Sequence, residues 1–377
     1  MTLPILYHLF PGHMEHHVLD MIEYFEDYAN APGLADHEQI HVVFGTDPQH
    51  RPAYERLNVP DHRLLFYPTP DIRVDFLKRV RQTDVMIIHS AHFPRIWLTL
   101  IRKPALWKRT AMINWGAGFS NSNATHWKGR INAMLRRTIL PKLGALSTLT
   151  PGEFEQIERD FGPCHNYVRA IYSSISCRDT EIAETPSPHA KRVMVGHSSD
   201  EYNGHVQVLE WLGSHGSDGL EVICPLGYPT YNEALSYRKR VLEAGQQALG
   251  GSFQPLLEMI PKKPYRSLLD RIDVFISNSQ VQQGLYHVYY MLCHGKKLFI
   301  RRDCPIFEML VDHDIIVCDT LEIPSLSRDQ IVTQDPDARR HNIKRARECW
   351  SREAVIEGWI ALVRRIARQE KTTPCVP

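Results

Sequence analysis

Short apolar runs alternate with amphipathic stretches along nearly the whole chain. In the first half the runs at 3–10, 39–44, 62–67, 84–90, 110–115, 145–150 and 167–172 read as strands. The segments 15–29, 73–82, 94–103, 128–140 and 153–160 carry apolar residues at helical spacing. Val85-Met86-Ile87-Ile88 is apolar at consecutive positions, as expected of a strand covered on both faces of a parallel sheet. The pattern breaks at 178–190, where Pro186 and Pro188 stand among few large apolar side chains, and this stretch reads as a linker. It then resumes with strands at 191–196, 220–224, 254–260, 272–277, 297–301 and 315–318. Helices are expected there at 203–214, 231–249, 264–270 and 284–294.

Repeated βα units predict an α/β protein with two doubly wound domains, 1–177 and 191–349. Ligands of such sheets bind at the carboxyl ends of the strands, so two such domains predict a central cleft. Within 350–377, the stretch 352–368 places Val355, Ile356, Trp359, Ile360, Val363 and Ile366 on one broad apolar face. That face must dock, and the first domain is the expected surface.

The 377 residues, 43% of them apolar, exclude wholesale disorder. Near balance of 44 Lys+Arg against 43 Asp+Glu argues against a general nucleic-acid binder. Eight scattered cysteines without a C-x-x-C pair point to a reduced, cytoplasmic setting. Neither a signal-peptide pattern nor a membrane-spanning apolar run is apparent.

Charge is nevertheless segregated. Between Asp84 and Glu153 there is no Asp or Glu, yet the window holds ten cations: Arg95, Arg102, Lys103, Lys108, Arg109, Lys128, Arg130, Arg136, Arg137 and Lys142. Trp127–Leu143 mixes five of them with Trp127, Ile131, Met134, Leu135, Ile139 and Leu140. A basic amphipathic helix of this kind, within the 95–142 segment, suits an anionic membrane surface or a polyphosphate ligand. A solvated helix face balanced by acids from elsewhere in the fold is the alternative.

Several strand ends carry candidate chemistry. Gly196-His197-Ser198-Ser199-Asp200 follows one strand and precedes a helix, and its amides and hydroxyls can meet a phosphate. A tight βα turn with a capping Ser or Asp accounts for the same residues. Gln282-Gln283-Gly284-Leu285 opens a second helix, where Gly284 lets the backbone approach a ligand at the positive helix end. Gly227, Tyr228 and Pro229 form a rigid loop, and Ile260-Pro261-Lys262 a basic one; both could border a base.

In the first domain Glu15 and His16 follow the first strand, His89 the fourth, and Trp115-Gly116-Ala117-Gly118 the fifth. Glu15, His16 and His89 are the candidate general bases. His13, His16 and His89 supply enough imidazoles for zinc, but the spacing is not that of a zinc helix and no cysteine accompanies it, so no metal is expected. Asp312-His313-Asp314 and Asp335-Pro336-Asp337 read as turns and caps rather than metal ligands.

Val195-Gly196-His197-Ser198-Ser199-Asp200 with Asn203 and His205 resembles a stretch of the TDP-N-acetylfucosamine:lipid II N-acetylfucosaminyltransferases of enterobacterial common antigen synthesis. So do Pro225-Leu226-Gly227-Tyr228-Pro229 with Asn232-Glu233-Ala234, Gln282-Gln283-Gly284, His16-His17, His89, Phe93-x-x-x-Trp97 and Trp115-Gly116-Ala117. The resemblance implies a GT-B glycosyltransferase fold of two Rossmann-like domains. It implies a nucleoside diphosphate sugar donor, TDP-linked, and a polyprenyl-diphosphate-linked or other glycan acceptor. It also implies peripheral attachment to the cytoplasmic face of the inner membrane, with neither metal nor other cofactor. On this reading Gly196, Ser198, Ser199, Gln282, Gln283, Gly284 and Leu285 hold the donor diphosphate. Gly227, Tyr228, Ile260 and Lys262 then flank the base, and His16, His89 or Glu15 meets the attacking hydroxyl. Where the family reads Trp-Gly-Ala-Asp this chain has Gly118, so a carboxylate of relatives is missing from that loop. A sugar-nucleotide epimerase or hydrolase of the same fold, and a non-catalytic nucleotide-sugar-binding protein, are the competing expectations.

Overall fold

A computed structural model describes residues 3–46, 51–90, 93, 95–115, 127–171, 192–229 and 231–368, with the side chains of His16 and Lys262 left aside. The chain divides into two units, Met1–Ser174 with Glu353–Pro377, and Ile175–Arg352. The proposed linker 178–190 lies outside the described residues.

In the first unit the strands are β1 (Ile5–Pro11), β2 (Glu38–Phe44), β3 (Leu64–Tyr67), β4 (Val85–His89), β5 (Thr110–Ile113) and β6 (Ala145–Ser147). They form one parallel sheet in the order β3-β2-β1-β4-β5-β6, so the winding reverses between β1 and β4. The helices are α1 (Glu15–Asp27), α2 (Arg51–Glu55), α3 (Val74–Leu77), α4 (Ile96–Leu100), α5 (Trp127–Ile139) and α6 (Pro151–Phe161). Alternate residues of the strands serve opposite layers, as pleating requires. Leu9, Val42, Ile88 and Met112 join the core that contains Trp97, Ile139 and Phe161. Across the sheet, His89 meets Phe10, Phe25 of α1 and Trp359.

The expected strand at 167–172 is replaced by a single bridge between Leu146 and Tyr167. Beyond it the Ser147 hydroxyl donates to the Ala170 carbonyl at 3.0 Å and accepts the Ala170 N–H at 2.9 Å, so a side chain substitutes for the backbone ladder.

The second unit repeats the plan with β7 (Arg192–Val195), β8 (Glu221–Pro225), β9 (Phe253–Leu256), β10 (Val274–Ser277), β11 (Lys297–Ile300) and β12 (Cys318–Asp319), ordered β12-β11-β10-β7-β8-β9. Its helices are α7 (His205–Ser214), α8 (Asn232–Leu249), α9 (Lys262–Asp270), α10 (Leu285–Cys293), α11 (Pro305–Asp312), α12 (Arg328–Val332) and α13 (Pro336–Trp350). Here the winding reverses between β7 and β10.

The last helix, α14 (Arg352–Ala367), belongs to the first unit. Trp359 is fully buried and donates its indole N–H to the Ile171 carbonyl at 2.9 Å. Gly358 is needed there because a Cβ would stand 2.4 Å from the Arg169 carbonyl oxygen. The helix thus adds its apolar face to α1 and the sheet rather than extending the second unit.

Candidate functional site

Crevices beyond the strand ends at a reversal of winding are where ligands of doubly wound sheets bind. In the second unit that point is formed by the turns after β7 and β10. Gly196 follows β7 with φ +65°, and a Cβ on it would fall 2.2 Å from Nε2 of His205. Glycine is required here so that the backbone can pass the buried imidazole. The His197 N–H donates to Oδ1 of Asn203 at 3.3 Å, and the Asn203 amide donates to Oγ of Ser198 at 3.1 Å. One buried asparagine therefore sets the shape of the turn.

Gly284, φ +69°, precedes α10 and lies against the same turn. A Cβ at Gly284 would stand 2.7 Å from Nδ1 of His197. Gln283 donates from Nε2 to Oδ2 of Asp200 at 3.4 Å, a second tie between the turns. No side chain caps α10, so its first N–H groups and positive dipole end open where His197 sits. Burial pulls the His197 imidazole down to about 4, leaving it neutral near pH 7, and its buried Nδ1 has no hydrogen-bond partner among the described residues. His287, on the first turn of α10, lies 5.6 Å from His197 between ring centroids and bonds Tyr265 of α9 at 2.7 Å. Burial holds it well below the usual histidine range. The two turns thus bring together a helix N-terminus and a neutral imidazole, chemistry suited to a diphosphate.

Three of the residues expected to touch the ligand also have structural tasks. Ser199 is fully buried, donating its N–H to the Tyr228 carbonyl at 2.5 Å and its hydroxyl to the Pro229 carbonyl at 2.8 Å. It fastens two loops and offers nothing outward. Gly227 permits close packing, since a Cβ there would lie 2.5 Å from the Glu258 backbone. Gly196 gives its N–H to the Ile276 carbonyl at 2.9 Å. Both donors of Ser199 are thus spent on the 228–229 loop, while Gly196 and Gly227 hold the backbone close to its neighbours. Ser198, Gln283, Gly284 and Leu285 stay at the convergence, and Gln282 is buried beside it. Tyr228 is exposed on the loop that Ser199 holds. Ile260 is half-buried just ahead of α9, and Lys262 is the first residue of that helix rather than part of a loop. On the far side of Asp200 a pocket of about 540 Å³ is lined by Asp200, Gly204, Gln207, Tyr231, Asn278 and Arg301.

In the first unit His89 is not available as a base. It is 0% exposed, stacked on Phe10 at 4.2 Å and bonded through Nε2 to Nδ1 of His8 at 3.0 Å. As the last residue of β4 its side chain turns into the layer beneath α1 and α14, and burial pulls it well below the usual histidine range. Glu15 opens α1, where its charge faces the positive helix end. His16 follows it, with a side chain outside the described set, as are Gly116–Gly118. Ser90, just past β4, has φ +97°, a left-handed conformation for a non-glycine residue at the reversal of winding. Such strain is concentrated at functional sites.

Sequence reasoning overlooked Glu153. It stands on the first turn of α6, beyond the carboxyl end of β6, in a capping box with Thr150. Burial pushes its carboxyl up to about 7 despite donors from Thr150 and Leu149. The signal was present as the first acid after a long acid-free window. His197 was legible too, sitting inside the quoted turn between Gly196 and Ser198.

Among the described residues no three His, Cys, Asp or Glu side chains are grouped to hold a metal ion. Asp335 caps α13 by accepting the Asp337 N–H, while Asp314 lies near His341 and Arg345. The ten cations of the acid-free window do not share one face. Arg136 is buried between Trp97 and Phe161, at 5.6 Å from each ring. Arg137 donates to the Asp160 carbonyl from the outer side of α5. That side exposes Trp127, Ile131 and Met134 by 67, 38 and 60%, a stripe at helical spacing flanked by Lys128, Arg130 and Arg137. No helix among the described residues is long and apolar enough to cross a membrane.

Comparison with known proteins places this geometry. The model of the family described as 4-alpha-L-fucosyltransferase, glycosyl transferase group 56, matches residues 3–364. Sucrose-phosphate synthase of Thermosynechococcus elongatus superposes with TM-score 0.67 at 12% identity, covering 96% of this chain and 99% of that one. Anabaena HepE, solved in complex with UDP and glucose, gives TM-score 0.65 at 11% identity over 96% and 99% of the two chains. A UDP-N-acetylglucosamine 2-epimerase matches with TM-score 0.56 at 14% identity over 100% of both. At these identities the three structures establish the fold, which is GT-B.

Proposed function

This chain belongs to the glycosyl transferase group 56 family of 4-alpha-L-fucosyltransferases and transfers a sugar; from that premise we propose that its donor is a nucleoside diphosphate sugar bound in the second unit. The contact between Gly284 and the His197 ring carries this reading, because it brings two phosphate-type turns to one point. His197, Ser198, Gln283 and the α10 N-terminus at Leu285 then surround the diphosphate. As the bond to the sugar breaks, negative charge grows on the leaving diphosphate, and the helix N-terminus and neighbouring donors stabilise it without a metal. Tyr228 and the Ile260–Lys262 segment border the base. HepE, similar in fold, was solved with UDP and glucose, which supports a nucleotide-sugar donor. The resemblance of the Pro225–Ala234 block favours thymidine as the nucleoside and an N-acetylfucosamine-like deoxyamino sugar.

The acceptor is a glycan on a polyprenyl diphosphate, met by the first unit at the cytoplasmic face of the inner membrane. Supporting this, the outer side of α5 pairs an apolar stripe with cations, the composition that docks on anionic lipid.

A thermal-shift panel of TDP, UDP and GDP, each with and without EDTA, tests the donor assignment. The expected result is a TDP shift that survives chelation. A shift that appears only with a divalent ion overturns the metal-free mechanism, and no shift with any nucleotide overturns the donor site.

A further inference from the structure

A transfer that uses a protein base for the acceptor hydroxyl does not find it in the histidine at the end of β4, which is sealed in the core. The 68 positions 85–152, which run through β4, β5 and β6 and the segments after them, hold ten cations and no acid. Glu153 ends that window. Asp84 begins it at the opposite edge of the sheet, fully buried, accepting the Ile5 N–H and pairing with Arg81. Of these two, Glu153 lies past the carboxyl end of a strand, the side where ligands of such sheets bind, as Glu15 does after β1.

Its surroundings are polar but uncharged. Oε2 accepts the Thr150 N–H at 3.0 Å and the Thr150 hydroxyl at 3.2 Å, and Oε1 lies 3.5 Å from the Asn114 amide. Asn114 directly precedes Trp115 and the Gly116–Gly118 stretch that lacks a carboxylate. Tyr167 is the other titratable group facing Glu153, with Arg169 acting on that tyrosine, and Phe154 stacks on the same ring at 4.3 Å. Among the described residues no Lys or Arg pairs with Glu153, although its own stretch of chain is rich in them. A cation in contact would favour the charged carboxylate and weaken it as a base. An ordinary surface cap has no need of that isolation.

We propose that Glu153 is the general base of the transfer, taking the proton of the acceptor hydroxyl. The acceptor oxygen forms its bond to the anomeric carbon, and the bond from that carbon to the diphosphate oxygen breaks. The electron pair leaves with the nucleoside diphosphate. The hydroxyl proton passes to the Glu153 carboxylate and afterwards to solvent. This rests on the donor reading above, since it assumes a diphosphate leaving group. Burial supports the role independently, as a carboxyl raised to about 7 is matched to proton transfer near neutrality.

Glu153→Gln separates this role from capping, because Gln serves a capping box as well as Glu does. Three quantities decide the matter: Tm, the TDP thermal shift, and kcat against pH. For Glu153→Gln the expected result is an unchanged TDP shift, a Tm no lower than that of the parent, and kcat lower by about 100-fold or more. The parent should lose rate below about pH 7, where the carboxyl takes up a proton, and the variant should lack that acid limb. Thr150→Ala removes a donor that favours the charged carboxylate, so it should keep its maximal rate with the limb moved to higher pH. Retained kcat with an unchanged acid limb in Glu153→Gln overturns the proposal. Equal losses in Glu153→Gln and Thr150→Ala, tracking a fall in Tm, overturn it in favour of a structural cap. Absence of a TDP shift in the parent would instead refute the donor reading.

Discussion

Each unit carries three histidines at the heart of its sheet, and the two sets behave differently. His8, His41 and His89 lie within strands, His8 opposite His41 and His89 two residues beyond the partner of His8 on β4, and they stack among Phe10, Phe25 and Trp359. Both nitrogens of His8, Nε2 of His89 and Nε2 of His41 are tied within the set or to Gln39 and Glu26. His197, His205 and His287 lie one step further out, in the turn after β7 and on the first turns of α7 and α10. There the rings of His197 and His205 border glycines with positive φ, while His287 stacks on Phe275 of β10. Burial keeps all six below the usual histidine range. The lesson is positional: moving an imidazole from the last strand residue into the turn converts core filler into a wall of a possible ligand site.

The strongest break of this comparison comes from deletion. His89→Ala should empty space in a dry core and cost about 3 kcal/mol of stability, read by denaturant unfolding. His197→Ala should cost far less stability and instead weaken TDP binding about tenfold, read by calorimetry. If the outcomes are exchanged, the assignment of the two sets is reversed.

Acidification acts on both sets. Their folded-state pKa values are lowered, so the stability they allow is present above the unfolded value near 6.5 and is lost as pH falls towards the folded value. His205, fully buried and down to about 3, should alone contribute a loss on the order of 3 kcal/mol by pH 4. Unfolding midpoints measured from pH 7 to pH 4 should therefore fall steeply, and a flat profile would contradict the burial of these rings.

Gly284→Ala sharpens the comparison within the second unit. The new Cβ meets His197 and the backbone must hold φ +69°, at a cost of about 1–2 kcal/mol. TDP affinity should drop about tenfold while the fold persists. The smallest effect belongs to the outer side of α5. Trp127→Ala with Met134→Ala should reduce binding to vesicles containing anionic phospholipid and leave Tm nearly unchanged, since both residues are exposed.

Much of the doubly wound plan was legible because apolar runs such as Val85–Ile88 remain apolar wherever they are covered on both sides. Gly196 and Gly284 were legible as punctuation, and both adopt positive φ. What each residue then touches was not. Whether His89 faces solvent or core depends on the helices laid over β4, one of which, α14, comes from the other end of the chain. Ser199 has the composition of a phosphate ligand, yet its donors go to the 228–229 loop, a pairing across 30 residues that no local pattern encodes. Helix α13 escaped notice because its buried stripe is Arg339, Asn342, Ala346 and Trp350, where only the last is a large apolar residue. Its cap Asp335 was visible without its helix.

The most direct test is a crystal structure of the protein with TDP. Diphosphate oxygens within hydrogen-bonding distance of the Leu285 N–H, beside His197 and Gln283, are the predicted result. A diphosphate seated instead against Arg301 in the pocket beyond Asp200, with the Gly284 turn untouched, would contradict the account.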